Sequence, residues 1–179
     1  MTSSQQVLNS VIVKLLPRYF RATDPDSIAP ESVENRVRWM PSMFALPGYT
    51  SSKDFKDPLS ISMDISSEVA IWALNVENDK TIHVLDLCCC PGMKFLSISS
   101  KLSKDSFLVG VDISEKRLSV CKSLVTKHFA ELYQASKSIP KCRIYRADGQ
   151  HFRAGSDCEI GQIEFDSSVY EMELAEVLI

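Results

Sequence analysis

The residue types most able to do chemistry stand in one short stretch. Residues 84–94 read Val-Leu-Asp-Leu-Cys-Cys-Cys-Pro-Gly-Met-Lys, an apolar run entering a cysteine-rich turn that Pro91-Gly92 closes. One helix-length later, Val109-Gly110-Val111 ends in Asp112. A strand, a tight turn, a helix and a second strand ending in an acid form half of a nucleotide-cofactor site. Backbone N–H groups converge on a ligand at that edge, so Cys88, Cys89, Cys90, Pro91, Gly92, Met93 and Lys94 are expected to wrap it. Asp112 can accept hydrogen bonds from both ribose hydroxyls, each worth about 1.5–3 kcal/mol for a charged acceptor. Its plainer alternative is to cap the helix that follows Ile113-Ser114. Asp148 can accept from an exocyclic adenine amine, or simply close an Asp-Gly turn. The dinucleotide fingerprint Gly-x-Gly-x-x-Gly is absent, which disfavours NAD and leaves a smaller, zwitterionic ligand for the Pro-Gly turn.

The triple cysteine raises the question of a metal. Three adjacent residues cannot all face one tetrahedral ion, and His83, His128 and His151 are scattered, so no metal is expected. Cys88–Cys90 read instead as small side chains in a crowded turn. Cys121 and Cys142 fall on faces expected to be buried, and Cys158 lies in an acidic stretch that would raise its pKa.

The elements that must position these residues follow from periodicity. Ile82–Leu87 reads as a strand, 93–102 as a helix and Phe107–Val111 as a strand. Ser114 then caps a helix with Leu118, Cys121, Leu124, Val125 and Phe129 on one side, and Cys142–Tyr145 is a third short strand. Strand-helix alternation of this kind implies a parallel sheet. Upstream, Asp64 is expected to cap a helix with Glu68 in its first turn and Ile65, Val69, Trp72 and Ala73 as its apolar face. Val7, Leu8, Val11, Ile12, Leu15 and Leu16 recur at helical spacing. Residues 24–58 hold five of the eight prolines and read as irregular connecting chain. Arg36, Arg38 and Trp39 within it could stack on a base, but packing on a core is the favoured reading.

The bulk composition suits a soluble globular protein. The chain has 179 residues, 45% hydrophobic and 24% charged, enough for one domain. No apolar run is long enough to span a bilayer, and six cysteines with three consecutive do not form a disulfide framework, so a reducing intracellular compartment is expected. The net charge of −3 is uneven: residues 1–153 carry 20 bases against 16 acids, and the remainder carries seven acids and no base. A weakly basic body is compatible with a polyanion. Residues 1–23 lack acids, a composition that would also serve a mitochondrial presequence; an amphipathic helix packed on the domain is favoured over it.

Taken together, Asp86–Lys94 closely resembles the Asp-Leu-Cys-Ala-Ala-Pro-Gly-Gly-Lys motif of the Sun-type RNA cytosine-5 methyltransferases. The differences are Cys89, Cys90 and Met93. Val111–Leu118 is similar to that family's second motif, Ala147-Asp148-Gly149 to its Gly-Asp-Gly third motif, and Met63–Ser67 to its Gln-Asp-x-Ser-Ser stretch. The resemblance covers roughly residues 36–150. It implies an α/β fold: a Rossmann-like methyltransferase with a doubly wound parallel sheet, here ending after its third strand. A helical and irregular lead-in over residues 1–57 would precede the cofactor domain at 58–179.

The resemblance also implies S-adenosylmethionine as cofactor, its amino acid part held by Cys88–Lys94, its ribose by Asp112 and its adenine by Asp148. RNA, either tRNA or rRNA, would be the partner, in cytoplasm or nucleus; a mitochondrial location rests on the acid-free N-terminus alone. The family's catalytic cysteines lie in Asp-x-Pro-Cys and Thr-Cys-Ser motifs, and neither is present. No catalytic residue is therefore assigned, and the chain reads as the front half of such an enzyme. The alternative is a non-catalytic module that binds S-adenosylmethionine, RNA or a protein partner. A methyltransferase of another substrate class is a third reading.

Overall fold

The computed structural model describes residues 18–24, 35–46, 59–76, 80–137, 139–152 and 162–163. The expected N-terminal helix over residues 7–16, Cys158 and residues 169–179 lie outside them. The chain divides into two compact units, Met1–Glu68 and Val69–Ile179.

The first unit departs from the irregular chain expected of it. Strands β1 (Arg18–Arg21), β2 (Met43–Leu46) and β3 (Ile61–Ser62) form an antiparallel sheet in the order β2-β1-β3. Four-residue strands flanked by prolines carry too little alternation to announce themselves; their pairing supplies what the pattern lacks. Phe20 lies opposite Phe44, with ring centroids 5.0 Å apart, and Ala22 and Leu46 complete the cluster. Trp39, expected on a core, is 65% exposed, whereas Arg36 lies 5.2 Å from the centre of the Phe44 ring. Arg21 and Glu68 are both buried and joined Nε to Oε1 at 3.2 Å. Burial lowers the Arg21 pKa, and Glu68 opposes that shift.

Helix α1 (Ile65–Ala73) is capped as expected: Asp64 Oδ1 accepts from the Ser66 backbone N–H at 2.8 Å and from its hydroxyl at 2.6 Å. Its expected apolar face is corrected. Val69, Trp72 and Ala73 are exposed, and the buried positions are Glu68 and Ile71. The ion pair of Glu68 with Arg21 turns that side of the helix inward, a constraint that hydropathy alone does not carry.

The second unit has the expected Rossmann-like α/β architecture. Strands β4 (His83–Asp86), β5 (Phe107–Asp112) and β6 (Lys141–Arg146) are parallel, with α2 (Met93–Ser99) and α3 (Glu115–Gln134) as the crossovers. All six residues of β5 are buried, as a central parallel strand requires. Phe107, Val109 and Val111 form a cluster on one face of the sheet, with Leu85, Tyr145, Ala147 and Phe152 packed against it. Gly110 lies on the opposite face, where an added Cβ would stand 2.8 Å from Phe95 Cε2 and 3.0 Å from Cys89 Sγ. Along α3 the buried side chains are Leu118, Cys121, Val125, His128, Phe129 and Leu132; Leu124 is half-buried.

The sheet does not stop at its third strand. Strand β7 (Gln162–Ile163) pairs antiparallel with β6, giving the order β4-β5-β6-β7. A fourth strand of the doubly wound series would instead lie parallel beside the first.

Candidate cofactor site at the strand ends

The parallel register sets Asp86 beside Gly110 and Asp112 beside Arg146, so the C-terminal ends of β4, β5 and β6 share one edge. Asp86 accepts from the Cys88 backbone N–H through Oδ1 at 3.2 Å. Among the described residues its Oδ2 is buried with no hydrogen-bond partner. Burial pushes the Asp86 carboxyl above its usual range, opposed by the Cys88 N–H and by the nearby charge of Lys94.

The turn that follows is held from both sides. Cys89 N–H donates to the Val111 carbonyl at 3.0 Å, and Cys90 N–H donates to Asp112 Oδ2 at 3.4 Å. The Arg117 guanidinium donates to the Cys90 carbonyl. The Cys90–Pro91 peptide is cis, and Gly92 sits at φ 116°, a left-handed conformation that disfavours any side chain. Cys88 and Pro91 are exposed, Cys89, Cys90 and Gly92 are buried, and Met93 and Lys94 open α2 half-buried.

Asp112 is the fastener of this edge. Its side chain is 3% exposed and meets Arg117 Nη1 at 3.3 Å. Its Oδ1 accepts from the Ser114 backbone N–H at 2.9 Å. The carboxylate therefore fills the turn-closing role while lying against the Cys88–Lys94 loop. Asp148 is set apart from it: exposed, it accepts from Gln150 N–H at 3.0 Å and lies 3.1 Å from His151 Nδ1. Those two groups hold its pKa below the usual carboxylate range, Gln150 N–H contributing most. Gly149 ties this turn back to the first strand, since a Cβ there would stand 2.9 Å from the Leu87 carbonyl oxygen. The structure thus brings the loop and Asp112 into direct contact and sets the Asp148-Gly149 turn over the exit of β4.

Sequence reasoning missed three participants. Asp86 and Arg117 stood only within the two motif resemblances, Asp86–Lys94 and Val111–Leu118. Cys121 was expected only as a buried residue on its helix face. It brings its Sγ from α3 to those of Cys89 and Cys90, all three sulfurs lying within 4.8 Å of one another. The neighbouring Cys89 and Cys90 thiols, Cys89 foremost, lower the Cys121 pKa; the Cys121 sulfur and burial push Cys89 up, and burial chiefly pushes Cys90 up to about 12.

Among the solved structures that match this chain, two share its fold. A methyltransferase homolog protein from Pyrococcus horikoshii matches with a TM-score of 0.58 and 19% identity over 79% of this chain and 47% of its own. The fold is that of a Rossmann-like methyltransferase. The protein PH0851 matches with a TM-score of 0.56 and 16% identity, over 75% of this chain and 31% of its own. At these identities the likeness is one of fold. This chain spans less than half the length of either structure. No protein-family model and no curated protein matches it.

Proposed function

We propose that this chain is the cofactor-binding portion of an S-adenosylmethionine-dependent RNA cytosine-5 methyltransferase acting on tRNA or rRNA. The observation that carries the cofactor is the buried, unpartnered Oδ2 of Asp86 beneath the Cys88–Lys94 loop. A buried carboxylate oxygen is costly unless a donor meets it, and the ammonium and sulfonium groups of S-adenosylmethionine are cationic. Cys88–Lys94 would hold the amino acid part, Asp112 the ribose and Asp148 the adenine. When bound, the cofactor supplies the methyl group; the loop and the two acids bind and orient it. The assignment to RNA and to cytosine carbon 5 rests on the resemblance of Asp86–Lys94 and Val111–Leu118, with the weakly basic body of residues 1–153 suiting a polyanion.

Methyl transfer needs a nucleophile that this chain does not offer by motif. Cys89, Cys90 and Cys121 are buried beneath the loop, and Cys142 is buried with its Sγ donating to the Pro140 carbonyl at 3.5 Å. One observation favours the second reading, a non-catalytic module: both Asp112 oxygens already have partners within the chain. Isothermal titration with S-adenosylmethionine is the test. Saturable binding is expected, with no tritium transferred to tRNA or rRNA by these 179 residues alone. Folded protein that releases no heat with the cofactor would sink the first reading and favour a module that binds RNA or a protein partner.

A further inference from the structure

Two adjacent loop residues and one helix residue about 30 positions away aim their sulfurs at a common point. Cys89 and Cys90 lie 4.0 Å apart Sγ to Sγ, and Cys121 Sγ comes within 4.8 Å of both. Around an ion with sulfurs at about 2.3 Å, ligand sulfurs stand about 3.8–4.0 Å from one another. The cluster is therefore within about 1 Å of a coordinating set before any ion arrives. All three residues are buried, Cys121 completely.

Two glycines pack directly against the sulfurs. A Cβ on Gly92 would stand 3.0 Å from Cys121 Sγ, and one on Gly110 would stand 3.0 Å from Cys89 Sγ. Two glycines on separate elements thus clear the space the sulfurs occupy. The other described cysteines take no part: Cys88 points to solvent, and Cys142 bonds to Pro140.

We propose that Cys89, Cys90 and Cys121 form a three-thiolate site for zinc, pinning the cofactor loop to α3. Soft thiolates select Zn²⁺ or Cu⁺ among common ions. Charge decides between them: three thiolates leave a net −1 with a divalent ion and −2 with a monovalent one. Asp112, whose carboxylate accepts from Cys90 N–H, adds a negative charge beside the cluster, so the smaller excess is the cheaper one to bury. Zinc takes four ligands; the three sulfurs supply three, and solvent supplies the fourth at the Cys90 edge, the least buried of the three. The site stands whether or not the loop above it binds S-adenosylmethionine.

Cobalt substitution tests this directly. Co²⁺ added to the reduced, oxygen-free chain is expected to give one tightly bound ion with a sulfur-to-cobalt charge-transfer band of three-thiolate intensity, bleached by Zn²⁺. Cys121→Ser should lose one third of that intensity, with the fold checked by circular dichroism. Cys88→Ser and Cys142→Ala should leave it intact. Zinc-edge X-ray absorption on the unmodified chain, which depends on no variant, should count three sulfurs near 2.3 Å. No band, a band unchanged in Cys121→Ser, or a band abolished by Cys88→Ser would each overturn the site.

Discussion

Two arginine–carboxylate pairs, one in each compact unit, show how burial divides structure from function. Arg21 and Glu68 meet at 3.2 Å with side chains 5% and 1% exposed. Arg117 and Asp112 meet at nearly the same distance, 3.3 Å, but the guanidinium is 52% exposed while the carboxylate is 3% exposed. In the first pair neither partner can regain water without opening the unit, so the contact is a fixed joint. In the second the arginine can swing into solvent and yield its place to another donor at little cost. The acid at the strand end is thus held, yet remains exchangeable.

The largest effect separating the pairs is on stability. Glu68→Ala removes the carboxylate that faces buried Arg21 and is expected to cost about 3–5 kcal/mol. Urea unfolding followed by circular dichroism measures the loss. A change within about 1 kcal/mol would make this pair no different from the other.

Asp112→Ala comes next. It strips the acceptor from Ser114 and Cys90 N–H groups, at about 1–3 kcal/mol of stability. It should also weaken S-adenosylmethionine about 10–100-fold, the worth of one or two charged hydrogen bonds. Arg117→Ala, by contrast, should shift the urea midpoint by less than about 1 kcal/mol and leave cofactor affinity within a few-fold. If its calorimetric affinity falls as far as that of Asp112→Ala, the arginine is not exchangeable and the contrast between the pairs collapses.

The smallest effect is a slope. The Asp86 carboxyl is raised in the fold by burial. A raised acid is favourable to the fold below its unfolded pKa near 4, and that contribution is lost as pH rises through the folded value. Cofactor-free protein should therefore weaken as pH climbs from about 4 through the elevated range of Asp86. Asp86→Asn should flatten that part of the stability curve, measured by thermal melting across pH. A curve unchanged by the substitution would remove Asp86 from the site's electrostatics.

How much of this could be read from the residues varies with the range of the interaction. The β4–α2–β5–α3–β6 series, the loop and the capping of α1 by Asp64 were legible, because apolar runs, Pro91-Gly92 and Asp64-x-Ser66 act over a few residues. The antiparallel sheet of the first unit was not, since Arg18–Arg21 alternates no better than a loop and is defined only by Met43–Leu46. The inward side of α1 was misread because Glu68 owes its burial to Arg21, 47 positions away. The role of Cys121 beyond burial was invisible for the same reason: nothing local on α3 says that its sulfur will meet two others from the loop.

Gly110 has a further consequence, for how the sheet finds its pairing. On β5 a slip by two residues preserves which side chains face which side, so hydropathy alone does not forbid it. Such a slip would put Leu108 or Asp112 where Gly110 now stands, against Phe95 and Cys89. A single missing side chain thus acts as a key that admits one alignment of the central strand. The same alignment is what delivers Asp112 to the edge where a cofactor would meet it.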